Sequence, residues 1–234
     1  MYTILNWNTG LTENQSNLLE ILQFVKKFVD EENTIAVLQQ IPYKIKDADG
    51  RWVYSNSYNE FVKIFSEEKY EIISNNTFNN GFIFMQTVIV TKVKIQRPKD
   101  NIMYLNGNPT NREIAVEIEN VFSLLGIHAK NGKDNLPYIK NINGNADIIV
   151  GDFNAGDYPQ YTYWRNFREI LPTHVCICNL PTKRVENSNG ELIRETCIDH
   201  IFVKRELVTK CENLKVHENI KLSDHYPITF NIKL

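Results

Sequence analysis

The chain has 234 residues, of which 42% are hydrophobic and 23% charged, and its formal net charge is −2. That balance is globular and excludes a disordered or fibrous chain; the near-neutral charge excludes a global basic field, so a polyanionic partner would need a local patch or a metal ion. No stretch approaches the roughly 20 apolar residues that span a bilayer, and the opening MYTILNWN has neither the basic segment nor the long apolar run expected of a signal peptide.

Residues 2–7 read as an apolar strand that closes on Asn8-Thr9-Gly10. Thr12 and Gln15 form a capping-box pattern, and Leu18, Leu19, Leu22, Val25, Phe28 and Val29 repeat at helical spacing, so a helix is expected from Thr12. Residues 34–38 suit a buried strand that ends in Gln39, Gln40 and Pro42. The intervening helix is long enough for a crossover, which predicts that these two strands run parallel. Ser57 and Glu60 make a second capping box ahead of Phe61, Ile64 and Phe65. Further strands are expected at residues 82–85, 87–95, 114–118, 122–127, 147–150, 198–203 and 228–232, separated by turn signals such as Asn106-Gly107-Asn108-Pro109. Trp164, Phe167, Ile170 and Leu171 suit one more helix.

Strand-rich meanders with a few helices predict an α+β sandwich and not a doubly wound sheet, in one domain over residues 1–234. Glycine-rich phosphate loops are absent from the sequence. The cysteines at 176, 178, 197 and 211 lack CxxC spacing, so we expect reduced thiols in a cytoplasmic protein, with Cys176 and Cys178 sharing one face of a strand as small core residues.

Several expected strands end in polar residues: Asn8, Gln40, His128, Asp152 with Asn154, Asp199, and Asp224 with His225. Each one alone suits a turn, a salt bridge or a half-buried histidine. Their coincidence argues for one shared edge, because an unpaired buried carboxylate is costly. The segments NWN (6–8), LQQ (38–40), GIHAK (126–130), GDFN (151–154), CIDHIFV (197–203) and SDHYPI (223–228) together resemble the endonuclease/exonuclease/phosphatase superfamily, the deoxyribonuclease I-like proteins. The resemblance runs in the family's order from residue 2 to residue 230.

It implies a four-layered α/β sandwich, with two packed and mostly antiparallel sheets flanked by helices, and hydrolysis of a phosphoester with Mg²⁺ or Mn²⁺. Carried over by position, Asn8, Gln40 and Asp224 become metal-site groups. Asp152 and Asn154 become the pair that holds the attacking water and phosphate oxygens, and Asn154 and Arg112 become phosphate ligands. His225 becomes the catalytic histidine oriented by Asp199, and His128 a second histidine. The chemistry wants these residue types independently: hard oxygens suit Mg²⁺, and a neutral histidine tied to a carboxylate serves acid–base work near pH 7.

Gln40 departs from the family pattern, which carries glutamate there. A carboxylate about 4 Å from a divalent ion attracts it by roughly 8 kcal/mol gross at a dielectric of 20, so an amide should weaken metal binding and activity. An introduced Glu→Gln change, a natural variation with altered metal use, and a shift of register all fit the sequence. The expected activity is that of a DNase-like endonuclease on nucleic acid, most simply DNA, by a monomer without membrane contact. The alternatives are a phosphatase or phosphodiesterase of inositol phosphates, phospholipids or small nucleotides, and a catalytically silent phosphate-binding module. Lys130, Lys133, Lys140, Tyr161, Tyr163, Trp164, Arg165, Lys183 and Arg184 are candidates for nucleic-acid contact around the cleft.

Overall fold

The structure, a computed structural model, describes residues 1–234 except 14, 68, 76–82, 108 and 157–170. In chain order its elements are β1 (Tyr2–Asn8), α1 (Leu18–Val29), β2 (Thr34–Lys46), β3 (Trp52–Tyr54), α2 (Asn56–Ile64), β4 (Glu71–Ser74), β5 (Ile83–Thr91), β6 (Ile95–Gln96), β7 (Glu113–Ile118), β8 (Phe122–His128), α3 (Asn135–Lys140), β9 (Ile148–Asp152), β10 (His174–Cys176), β11 (Lys183–Glu186), β12 (Leu192–Thr196), β13 (Asp199–Lys204), β14 (Cys211–Val216) and β15 (Ile228–Ile232). One sheet runs β14-β15-β1-β2-β5-β4, with β3 paired to β2; the other runs β10-β13-β9-β8-β7-β6. A separate hairpin joins β11 and β12.

Alternation along the strands sorts the side chains into layers. Ile4, Val37 and Ile89 of the first sheet face Ile114, Val116, Leu124, Val150 and Ile201 of the second, forming the central core. The opposite face of the first sheet, with Leu5, Trp7, Leu38 and Val88, packs under Ile21, Leu22 and Val25 of α1 and Phe61 of α2. Ala115, Leu125, Ile127, Ile149 and Phe202 cover the outer face of the second sheet, beneath Tyr138 and Ile139 of α3. The result is the expected order of layers: helices, sheet, sheet, helix.

Each sheet holds one parallel pair, β1 with β2 and β8 with β9. The other pairings among the described residues are antiparallel, so the sheets are mixed with an antiparallel majority. Parallel strands end at the same edge. Asn8 therefore lies beside Gln39 in the first sheet, and His128 beside Asp152 in the second.

Several boundaries differ from the sequence expectation for local reasons. Gln15 does reach back to the Thr12 N–H (2.9 Å), but the helix begins only at Leu18. Ser57 Oγ donates to the Thr12 carbonyl (2.9 Å), which ties this segment to the start of α2. The cap of α2 is Ser55, whose hydroxyl accepts from the Tyr58 N–H (2.9 Å), and not Ser57. Strand β2 does not stop at Leu38. It continues through Pro42 to Lys46 past two bulges, because Pro42 falls where the register with β5 is already irregular. The expected strands 82–85 and 87–95 are largely one strand, β5. Cys176 and Cys178 do not share a face, because β10 ends at Cys176; Cys176 packs against the outer cluster and Cys178 lies in the central core. The helix expected around Trp164 lies outside the described residues, as do Tyr161, Tyr163 and Arg165.

The sheets come close at Gly126 on β8. A Cβ there would stand 2.4 Å from Val37 Cγ1, 3.2 Å from Ile114 Cγ2 and 3.4 Å from Thr87 Cγ2. Val37 is β-branched and fully buried, so it has little room to yield. Gly126→Ala is expected to destabilise the fold by about 1–3 kcal/mol through overpacking. Val37→Ala should suppress part of that loss in the double variant. Urea unfolding of the four proteins in this cycle measures the coupling, and strictly additive losses would contradict the contact.

Candidate active site

Five strand ends build the site. Asn8 closes β1, His128 closes β8, Asp152 closes β9, Asp199 opens β13, and the segment 223–225 precedes β15. Asp199 and Asp152 are register partners in the antiparallel pair β13–β9. The 223–225 segment is tied to β1: Ser223 Oγ donates to the Asn8 carbonyl (2.9 Å), and Trp7 Nε1 donates to the His225 carbonyl (3.0 Å). Polar groups from both sheets thus meet across the edge where the central core stops.

Asp152 lies in the middle and is 1% exposed. Its Oδ2 accepts from Asn8 Nδ2 (2.8 Å) and its Oδ1 from the Asn154 N–H (2.8 Å). Two histidines flank Oδ2 at nearly equal distance, His128 Nε2 at 3.7 Å and His225 Nε2 at 3.8 Å. Both separations are too long for a direct hydrogen bond and suit a bridging water or phosphate oxygen.

His225 is 2% exposed, and its Nδ1 lies 2.8 Å from Asp199 Oδ2 and 3.0 Å from Oδ1. Nδ1–H donation to that carboxylate leaves Nε2 facing the site. Lys183 Nζ lies 3.1 Å from the same Nε2 and donates to it when the ring is neutral; its charge opposes protonation there, against the pull of the two carboxylates. Thr182 Oγ1 accepts from the N–H groups of Ile198 (3.1 Å) and Asp199 (3.0 Å), which fixes the start of β13.

The remaining expected residues are placed as follows. Asn154 adopts the left-handed conformation (φ 48°), and its Nδ2 donates to the Ala129 carbonyl (3.0 Å). Arg112 turns its Nη1 onto the main-chain carbonyls of His128 (3.1 Å) and Ala129 (3.3 Å), so it braces the end of β8. Gln39 points inward, donating to Asn6 Oδ1 (3.0 Å). Gln40, at φ 58° in the first bulge of β2, is turned toward the 223–224 segment. A Cβ on Gly10 (φ 60°) would meet Ser223 Oγ at 3.0 Å, Asp224 Oδ1 at 3.5 Å and Gln40 Oε1 at 3.8 Å. Three side-chain oxygens therefore converge on a cradle that only glycine leaves open. The Asn8 Oδ1 also lies beside it, accepting from the Gly10 N–H (3.0 Å). It is Gln40, and not Gln39, that shares this cradle with Asp224.

Burial pushes the Asp152 carboxyl above its ordinary range; nearby Asp199 adds to the rise, and His225 with the hydrogen bonds from Asn154 and Asn8 opposes it. For His225, burial acts against the charged ring, but the Asp199 and Asp152 carboxylates outweigh it and raise the pKa. Asp224 is held low: partial desolvation works against ionisation, and the His225 and Lys183 charges overcome it. His128 is pushed down to about 3 by burial, helped by the neighbouring charges of Arg112, His225 and Lys183.

Two groups of donor atoms could hold a metal ion. Asp152, Asp199 and His225 bring ligand atoms within 4.8 Å of one another, the one such group of three found among the described residues. The cradle over Gly10 offers only oxygens, from Asp224, Gln40 and Asn8, which is the donor chemistry that Mg²⁺ or Mn²⁺ selects. The donor set fits such an ion, with a single carboxylate in it.

Sequence reasoning placed Lys183 on the rim and missed its central position. It also missed Ser223, Thr182 and Trp7 as the groups that hold the segment. Lys130, Lys133 and Lys140 are exposed. Arg184 is engaged by Glu186 (2.6 Å) and by the Ser223 carbonyl (2.9 Å).

Fold and site together define a deoxyribonuclease I-like sandwich with an acidic, histidine-containing edge. Solved structures of the same fold span the whole chain. The endonuclease domain of TRAS1, a telomere-specific non-LTR retrotransposon, superposes with a TM-score of 0.67 at 16% identity, over 100% of this chain and 99% of that one. An AP endonuclease from Archaeoglobus fulgidus gives 0.66 at 13% identity, over 100% of both chains. The 3′ phosphatase NExo from Neisseria, bound to a product DNA hairpin, gives 0.65 at 14% identity, again over 100% of both. No family model and no curated protein sequence matches the chain. The neighbours are endonuclease/exonuclease/phosphatase proteins, and at these identities the likeness establishes the fold.

The burial of His128 has a pH signature. Its folded pKa of about 3 lies below the unfolded value near 6.5. The stability it supports is therefore fully present above about pH 6.5 and is lost as pH falls toward about 3, because the unfolded chain takes up a proton that the folded chain refuses. Between pH 7 and pH 5 the wild type should lose about 2 kcal/mol more than His128→Gln. Parallel pH–stability curves from chemical denaturation would show instead that the ring accepts a proton in place.

Proposed function

We propose that this chain is a divalent-metal-dependent phosphodiester hydrolase that acts on nucleic acid as a DNase-like endonuclease. The observation that carries the reading is Asp152 Oδ2, held by Asn8 and set midway between the Nε2 atoms of His128 and His225 at 3.7 and 3.8 Å. That spacing is a socket for a water and a phosphate oxygen, with a carboxylate beneath and imidazoles on two sides.

The roles follow from the partners. Asp152, with both oxygens anchored, orients a water and draws its proton. His225, braced by Asp199, presents Nε2 to the phosphate, and in its charged form it offsets the negative charge that gathers as the bond breaks. His128 stays neutral across physiological pH and serves as a hydrogen-bond partner for a phosphate oxygen. Asn154 stands beside Asp152 as a further phosphate ligand, and Arg112 acts by holding the carbonyls of His128 and Ala129. Asp224, Gln40 and Asn8 would hold Mg²⁺ or Mn²⁺, which when bound supplies Lewis-acid neutralisation of the phosphate.

DNA is the simplest substrate, because the similar structures include an AP endonuclease, a retrotransposon endonuclease domain and a complex with a DNA hairpin. Among the described residues no helix is long and apolar enough to cross a membrane. The four cysteines form no disulfide, which suits a reducing compartment such as the cytoplasm, and the chain is read as a monomer.

The deciding experiment is a panel of double- and single-stranded DNA, RNA, inositol phosphates and cyclic nucleotides, assayed with Mg²⁺, Mn²⁺ and excess EDTA. DNA cleavage that stops in EDTA is expected; undiminished cleavage in EDTA, or turnover of inositol phosphates alone, would contradict the proposal. His225→Ala should lower turnover by at least about a hundredfold. Gln40→Glu should raise both Mg²⁺ affinity and rate, because it restores a full charge at the same side-chain length. Thermal melts with and without Mg²⁺ give an independent reading of the last point, since a ligand that binds only the native state raises its melting temperature. If Gln40→Glu melts and cleaves like the wild type, residue 40 lies outside the metal site.

A further inference from the structure

Lys183 occupies an unusual place for a lysine on a two-stranded hairpin. Its Nζ lies 2.8 Å from Asp224 Oδ2 and 3.1 Å from His225 Nε2, and its side chain is 24% exposed. The backbone holds it there. The Arg184 N–H donates to the Asp224 carbonyl (2.7 Å), the Tyr226 N–H donates to the Thr182 carbonyl (2.7 Å), and Lys183 pairs with His225 in an isolated antiparallel bridge. Arg184 Nη2 adds a bond to the Ser223 carbonyl (2.9 Å). Residues 182–184, at the start of β11, thus run antiparallel against the 223–226 segment, and the lysine emerges from the middle of that contact.

The charge count at the cradle makes this position consequential. Of the oxygen donors around Gly10, Asn8, Ser223 and Gln40 are neutral, and Asp224 carries the only formal charge. With Lys183 on Asp224 the charge of that one carboxylate donor is already balanced, a poor setting for a divalent cation. An ammonium and a divalent ion repel, and both want the same carboxylate.

We propose that Lys183 is the resident cation of the site and competes with a divalent metal ion for Asp224. In the metal-free protein it holds Asp224 and the Nε2 of His225 in register. Metal entry moves the ammonium off Asp224, toward the side of His225 on which a substrate phosphate would lie. Lys183 is a positioning residue in the first state and a phosphate neighbour in the second. The inference rests on the proposed reading of Asp224 as a metal ligand.

The test is calorimetric titration of Mg²⁺ into the wild type, Lys183→Met, Lys183→Arg and Asp224→Asn, and into the double variant Lys183→Met/Asp224→Asn. Near-ultraviolet circular dichroism would verify the fold of each. Lys183→Met should bind Mg²⁺ at least about tenfold more tightly than the wild type, because the carboxylate is released and a repelling charge removed. Lys183→Arg keeps the charge and should stay near the wild type; it also keeps the question answerable if the methionine variant does not fold, since marked tightening in Lys183→Arg would contradict the proposal. In the Asp224→Asn background the gain from Lys183→Met should shrink to a small fraction, because the contested group is gone. Unchanged or weaker Mg²⁺ binding by Lys183→Met would overturn the proposal while leaving the metal site intact. Absence of Mg²⁺ binding by every variant would overturn both this inference and the metal-dependent reading.

Discussion

Asp152 is a carboxylate enclosed where two sheets meet, and such a group is costly to bury without partners. Its two oxygens are held from different directions, by Asn8 of the first sheet and by the main chain of Asn154 in the second. The same requirement draws in its neighbours. His225 and Asp199 form a second buried pair across the same seam, and its imidazole stands close enough to Asp152 to favour the charged ring. Removing one member would leave another buried and uncompensated, so these side chains form a unit. The apolar core sets how far apart the sheets lie, and this polar edge sets how they are aligned.

Much of the fold was legible because it rests on short-range periodicity. The apolar runs at residues 2–7, 34–38, 114–118 and 122–127 each became strands, and the stripe from Leu18 to Val29 became a helix. The parallel pairing of β1 and β2 followed from the length of the crossover between them. Boundaries were less legible, because they depend on distant partners. Nothing local to Thr12 reveals that Ser57 takes its carbonyl, and nothing near Leu38 reveals that β2 continues through two bulges along β5. The edge strands β3, β4, β11, β12 and β14 carry weak alternation and were missed for that reason.

The site shows the same division. Aspartates, asparagines and histidines at the ends of apolar runs were conspicuous, since each breaks a hydrophobic pattern at a point where turn formation alone would not require it. The groups that hold them were silent: Thr182 and Ser223 are small hydroxyl residues whose importance lies only in which N–H or carbonyl they meet. Lys183 was visible as a basic residue, but its position depends on a main-chain bridge to a segment some 40 residues later in the chain. Arg112 shows the converse. The resemblance implied a phosphate ligand, and in the structure its guanidinium also reinforces the carbonyls that end β8.

The bulges in β2 also constrain how this protein can change in length. Between Leu38 and Ile41 the strand opposes one residue of β5 with two of its own, and it does so again between Pro42 and Ile45. Leu38 and Ile41 consequently lie on the same helix-facing side, although three positions separate them. Deleting Gln39 or Gln40 would remove the first bulge: Leu38 and Ile41 would then stand two positions apart on a regular strand with their facing kept, but the left-handed turn that carries residue 40 to the cradle would be lost. Many amino-acid exchanges at these positions leave the backbone path intact, but a single-codon deletion does not. The residue count of this stretch is therefore set by the cradle and not by the facing of the core.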